Sequence, residues 1–187
     1  METSASLLDR IAAAPSDADW RRLVDLYAPL LAAWLARAGV AVHDRDDLSQ
    51  EVLMVVVKEV AAFDRGRPGA FRAWLRTILG NRVRDYFRKQ AGRAVAVGDG
   101  LDDLADPDSP LSQLWDREHD EHVAARVMNR VRVDFAEATW EAFARQVLEG
   151  RSASEVAAEL GMSRNAALVA KSRVLRRVRA ELAGLVE

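Results

Sequence analysis

Apolar residues recur along most of this chain at the three- and four-residue spacing of an amphipathic helix. Nowhere do they alternate long enough to predict a strand. WRRLVDLYAPLLAAWLARAG at 20–39 puts Leu23, Tyr27, Leu30, Leu31, Trp34 and Leu35 at helical spacing; Pro29 is expected to divide or kink the segment and Gly39 to end it. DRDDLSQEVLMVVVKEVAAF at 44–63 opens with acids, which suit the positive end of a helix dipole. It continues with Leu48, Val52, Val55, Val56 and Val60 on one side. RGRPG at 65–69 breaks the period and predicts a loop. AFRAWLRTILGNRVRDYFRKQ at 70–90 resumes it, with Phe71, Leu75, Ile78, Leu79, Val83 and Phe87 on one stripe and Arg72, Arg76, Arg84 and Arg88 elsewhere on the cylinder.

From Gly92 to Leu111 the period is lost. Gly98, Gly100, Pro107 and Pro110 sit among aspartates there, which is linker composition, and VAV at 95–97 is too short to count as a strand. Helical spacing returns through HVAARVMNRVRVDF and TWEAFARQVLEG, and SASEVAAELGMSRNAALVAKSRVLRRVRAEL reads as two helices about a tight turn. The pattern predicts an all-α protein: a helical domain over 1–91, an acidic flexible linker over 92–111 and a second helical domain over 112–187.

Charge sharpens this picture. The 187 residues carry 27 Lys and Arg against 29 Asp and Glu, a net of −2, but the two signs are segregated. Residues 65–93 hold Arg65, Arg67, Arg72, Arg76, Arg82, Arg84, Arg88, Lys89 and Arg93 against Asp85 alone. Residues 99–121 are acidic, and 161–180 contain no acid at all. A polyanion meets local patches and not the total, so nucleic acid is a candidate partner despite the slightly negative sum. Half the residues are hydrophobic and 30% charged, which is globular composition. No apolar run approaches the roughly 20 residues that span a bilayer, and the N-terminus lacks the basic and apolar regions of a signal peptide. With no cysteine, thiolate chemistry and cysteine-ligated metals are excluded. A cytoplasmic protein is expected.

The last segment carries the grammar of a helix-turn-helix. Ser152 and Glu155 fit a capping box, Gly161 allows a left-handed turn, and Ser163 is placed to cap the next helix. With Ala167, Ala170, Val174 and Val178 toward the core, Arg164, Asn165, Leu168, Lys171 and Ser172 face a DNA groove, and Arg173, Arg176 and Arg177 are placed for phosphates. In 70–90, Phe71, Trp74, Tyr86 and Phe87 alternate with arginines and Asn81, a combination suited to unpaired bases and their backbone. Phe71 and Phe87 also fit a core, whereas Trp74, Arg76 and Asn81 fit one poorly. Asp46, Asp47 and Glu51 either cap a helix or, being acidic beside a DNA-binding helix, face a basic protein surface.

Taken in order, DDLSQEVLMVVVKEVAAFDRGRPGAFRAWLRTILGNRVRDYFRKQ resembles region 2, and GRSASEVAAELGMSRNAALVAKSRVLRRVRAEL resembles region 4, of extracytoplasmic-function sigma factors of the sigma-70 family. The resemblance implies a subunit that binds core RNA polymerase and directs promoter-specific initiation. It implies that Asp46, Asp47, Leu48, Gln50, Glu51 and Val52 contact the clamp helices of the polymerase β′ subunit. Arg65 and Arg67, in a loop that captures a flipped base, would act with Phe71, Trp74, Arg76, Asn81 and Arg84 on the minus-ten element. Arg164, Asn165, Leu168, Lys171, Ser172, Arg173 and Arg176 would act on the minus-thirty-five element, with region 4 docked on the β flap and the acidic linker near the RNA exit path. The recognition helix departs from the family's usual early threonine-valine-lysine-serine-arginine run: Ala166, Ala167 and Leu168 stand there, and Lys171-Ser172-Arg173 follows one turn later.

The resemblance further implies promoter DNA and an anti-sigma factor as partners, a monomer when free, no cofactor and no membrane. An enzyme is not expected, since no glycine-rich phosphate loop appears and His43, His119 and His122 are scattered. His119-x-x-His122 could hold a metal, but without a third obvious ligand it reads as a solvated helix face, so no metal is expected. The alternative is a conventional helix-turn-helix regulator that acts without replacing a sigma subunit.

Overall fold

The computed structural model describes residues 6–14, 16–64, 69–90, 104, 106–183 and 185. These form only helices and connecting turns: α1 (Leu7–Ala13), α2 (Asp17–Arg37), α3 (Arg45–Glu59), α4 (Ala70–Gln90), α5 (Pro110–Arg132), α6 (Glu137–Val147), α7 (Ala153–Leu160) and α8 (Arg164–Leu182), with one turn of 3-10 helix at Val42–Asp44. The all-α expectation therefore holds. The chain divides into two compact units, Met1–Val123 with Gly184–Glu187, and Ala124–Ala183.

In the first unit each helix buries the stripe its period supplies. Tyr27, Leu31 and Leu35 of α2, Val52, Leu53 and Val56 of α3, and Leu75, Leu79 and Val83 of α4 make the core. Pro29 does not divide α2, which is continuous from Asp17 to Arg37. The proline lies on the exposed side of the helix, where the carbonyl deprived of its donor can turn to water. Ser6 and Asp9 form a capping box at α1, and Ser16 accepts from the Asp19 backbone N–H at α2. The Asp44 side chain does not cap α3; it accepts instead from the Tyr86 hydroxyl at 2.8 Å, which ties α4 to the turn before α3.

The expected junction at 111/112 differs from the observed one, which falls within α5 after Val123. The reason is packing. Trp115 is fully buried, meets Trp34 edge-on at 5.1 Å between ring centroids, and donates its indole N–H to the Arg72 carbonyl at 3.1 Å. His122 contacts the Leu26 carbonyl through Nε2 at 2.7 Å. The N-terminal half of α5 is thus a further layer across α2 and α4. Most of the predicted linker lies outside the described residues, but its end is ordered helix start. Ser109 caps α5 by accepting from the Ser112 N–H at 3.0 Å, Pro110 takes the first helical position, and Leu104 is buried.

The second unit is built on α6, α7 and α8. Ala142, Val156 and Ala170 form its centre, with Leu160 and Met162 packed against them. The buried Gln146 amide donates to the Ala142 carbonyl at 2.6 Å and the Ala167 carbonyl at 2.9 Å, fastening α6 to α8.

Candidate nucleic-acid interface

The turn between α7 and α8 is set by its local chemistry. Ser152 and Glu155 form the expected capping box, and the Glu155 carboxyl is held below its usual range by the Ser152 backbone N–H and hydroxyl. Gly161 closes α7 at φ 63°, a left-handed conformation that glycine adopts freely. Ser163 caps α8 by accepting from the Ala166 N–H at 3.1 Å. Glu159 pairs with Arg145 at 2.8 Å and also with Arg151, bracing α7 against α6; the Arg151 hydrogen bond, before any other cause, lowers the Glu159 pKa. Ala167, Ala170, Val174 and Val178 all turn inward. Arg164, Asn165, Leu168, Ser172, Arg173 and Arg176 are exposed and Lys171 half-buried, so every minus-thirty-five candidate is at least partly open. Arg177 differs. It pairs with Asp134 at 3.1 Å and with the buried Glu181, so its expected phosphate role gives way to a bond between the start of this unit and its last helix.

On α3 the helical period separates two sets. Asp46, Asp47, Gln50 and Glu51 are exposed, but Leu48 and Val52 face inward at 8% and 0% exposure. These two are core residues, contrary to their expected place in a contact surface, because Leu48, Val52 and Val56 follow one another at four-residue spacing along the buried stripe. Met54, Val55, Lys58 and Arg82 join Asp47, Gln50 and Glu51 around an open depression of about 640 Å³. Met54 was hidden from sequence reading inside the apolar run VLMVVV; only its register places it outside.

On α4, Trp74, Asn81 and Arg84 line one groove of about 480 Å³ together with Thr77 and Arg88. Trp74 stacks on Phe63 with centroids 4.4 Å apart and planes 12° from parallel, which holds the indole in place. Asn81 accepts from Arg84 at 2.8 Å.

Residues 23–93 match the family described as Sigma-70 region 2. The protein named ECF RNA polymerase sigma factor SigD, from Mycobacterium tuberculosis and from Mycobacterium bovis, is 29% identical over 174 residues, covering 87% of this chain and 76% of that protein. Over residues 23–93 the chain thus matches Sigma-70 region 2, and along most of its length it is similar to an extracytoplasmic-function sigma factor. The match to region 2 takes in most of α2 and all of α3 and α4, the helices that carry the acidic face and the aromatic groove.

Two of the residues expected at the minus-ten element are not available in the groove. Phe71 is buried at 3% exposure among Tyr27, Phe63 and Trp74, a core position its stripe required. Arg76 is buried at 4%, its guanidinium 3.0 Å from Asp116 and 3.4 Å from the Ser112 carbonyl. Arg72 likewise pairs with Asp120 at 2.7 Å. Arg65 and Arg67 lie outside the described residues. The histidine pair is also not the solvated helix face expected. His119 is fully buried beside Tyr27, and burial above all depresses its pKa, against a hydrogen bond to the Asp120 carboxylate that raises it. Among the described residues, no group of three metal-capable side chains occurs, and no helix is long and apolar enough to cross a membrane.

Proposed function

We propose that the chain is a sigma factor that divides its labour between two faces of the first unit and one helix of the second. It binds core RNA polymerase and directs promoter-specific initiation. The observation that carries the reading is the contrast between neighbouring surfaces of the first unit. The exposed α3 face offers Asp46, Asp47, Gln50 and Glu51, which repel DNA and suit a basic protein surface, here the β′ clamp helices. Met54, at 46% exposure, gives that face an apolar centre.

The α4 groove takes the opened minus-ten strand. Trp74 offers an aromatic face and Arg84 and Arg88 neutralise the backbone, the two components of single-strand binding. Arg76 acts through structure and not by touching DNA. The α8 surface anchors duplex DNA at the minus-thirty-five element by phosphate contacts from Arg173 and Arg176, with base contacts nearer its N-terminus. Region 4 docks on the β flap, and an anti-sigma factor is the expected inhibitor.

The division is tested by DNA binding of the full chain with and without core polymerase. The reading expects weak, strongly salt-dependent binding by the chain alone, and a stable promoter complex only when polymerase is present. Tight binding to a two-fold symmetric duplex by the chain alone would instead establish a conventional helix-turn-helix regulator.

A further inference from the structure

Leu168 and Val169 stand on the outward face of α8 at 41% and 46% exposure, the large apolar side chains that this helix leaves open. Because Ala167, Ala170, Val174 and Val178 point inward, the opposite stripe is Asn165, Leu168, Val169, Ser172 and Arg176. Leu168 and Val169 follow Asn165 by three and four residues and precede Ser172 by four and three. The two side chains therefore make a row of their own, one turn behind Asn165 and one ahead of Ser172.

We propose that this row reads thymine methyl groups in the major groove, so that the minus-thirty-five element of this sigma factor is built on consecutive A·T pairs. The inference rests on the reading of α8 as the recognition helix and deepens it. Three observations converge. First, the pair is surrounded by Arg164, Lys171, Arg173 and Arg176, and α8 has no acid before Glu181; such a surface draws a polyanion and not an apolar protein groove. Second, the thymine methyl is the apolar group that the major groove presents, and leucine and valine have nothing else to meet there. Third, Asn165 precedes the row, and a carboxamide matches the N6 and N7 edge of adenine. One helical turn advances about 5.4 Å against a base-pair rise of about 3.4 Å, so the methyls lie one to two pairs beyond that adenine.

The test begins with holoenzyme reconstituted from core polymerase and the full chain, used to select duplexes from a library randomised over the minus-thirty-five region. The selected site is then synthesised with deoxyuridine in place of thymidine, which removes the methyl groups and nothing else. Selection of adjacent A·T pairs is expected, with about a fourfold loss of affinity per contacted methyl removed. The Leu168→Ala/Val169→Ala variant, altered only at exposed positions, should melt like the parent and bind both duplexes equally. Uracil duplexes that bind the parent as tightly as thymine ones overturn the proposal. So does a variant that remains sensitive to uracil, or one that loses transcription at every minus-thirty-five sequence alike, which would mark the row as a protein contact. Failure of the reconstituted polymerase to initiate at all contradicts the sigma reading itself, whereas initiation without discrimination at this element overturns only the inference made here.

Discussion

The guanidinium of Arg76 lies 3.0 Å from the carboxylate of Asp116, joining α4 to α5 across forty residues of sequence. Arg76 is 4% exposed, while the Asp116 side chain is a third exposed and also faces Arg72 at 3.4 Å. An arginine that charge pattern alone would send to DNA is thereby fixed inside the protein. The acidic stretch after residue 99 has one definite use: its last members neutralise arginines of α4.

The pair is asymmetric, and its variants should be too. Asp116→Ala leaves a buried guanidinium with the Ser112 carbonyl as its remaining acceptor, and a loss of about 3 kcal/mol is expected. Arg76→Met keeps the packing and leaves Asp116 with Arg72 and water, so about 1 kcal/mol is expected. Urea unfolding of both variants reads the difference. Equal losses would mean that the pair behaves as an ordinary surface ion pair.

His119 makes stability depend on pH. Burial holds its folded pKa below the ordinary value of 6.5, so the unfolded chain binds the extra proton first. Its contribution to stability is complete above pH 6.5 and is lost as the pH falls from there toward the folded pKa. Tyr27, Arg72, Asp116 and Asp120 are the charged and titratable groups that act on it or face it. Melting temperature should therefore fall between pH 7 and pH 5, and His119→Gln should flatten that part of the profile. An unchanged slope in the variant would assign the acid sensitivity to other groups.

Gly161 makes a cleaner test of local geometry. A Cβ at this position would meet nothing within 4 Å, so Gly161→Ala costs only the left-handed conformation at φ 63°. That cost is about 1 kcal/mol, and Gly161→Asn should cost less because asparagine tolerates this region. Thermal melting of the second unit's transition distinguishes the two; equal stability of all three proteins would show that the turn relaxes.

The helices of the site were legible because each buries one stripe. The inward set Ala167, Ala170, Val174 and Val178 on α8, the capping box at Ser152 and the bounds of α4 all follow from spacing and cap chemistry. What spacing cannot say is which element covers a stripe. Arg76 looked like a surface cation because nothing local reveals that α5 lies over it, and His119 looked solvated for the same reason. Leu48 and Val52 were legible as core residues from their own period; it was the resemblance that placed them in a contact surface. Met54 went the other way, lost inside an apolar run although its register puts it outside.

Promoter-dependent run-off transcription reads whether the acidic face of α3 binds polymerase. Core polymerase would be supplied with the unmodified chain or with the Asp47→Arg/Glu51→Arg variant, both changes lying at exposed positions that should leave melting unaltered. Promoter-specific transcripts with the unmodified chain, and none with the variant, are predicted. Undiminished transcription by the variant would contradict the acidic interface, and no specific transcript from either protein would contradict the sigma reading as a whole.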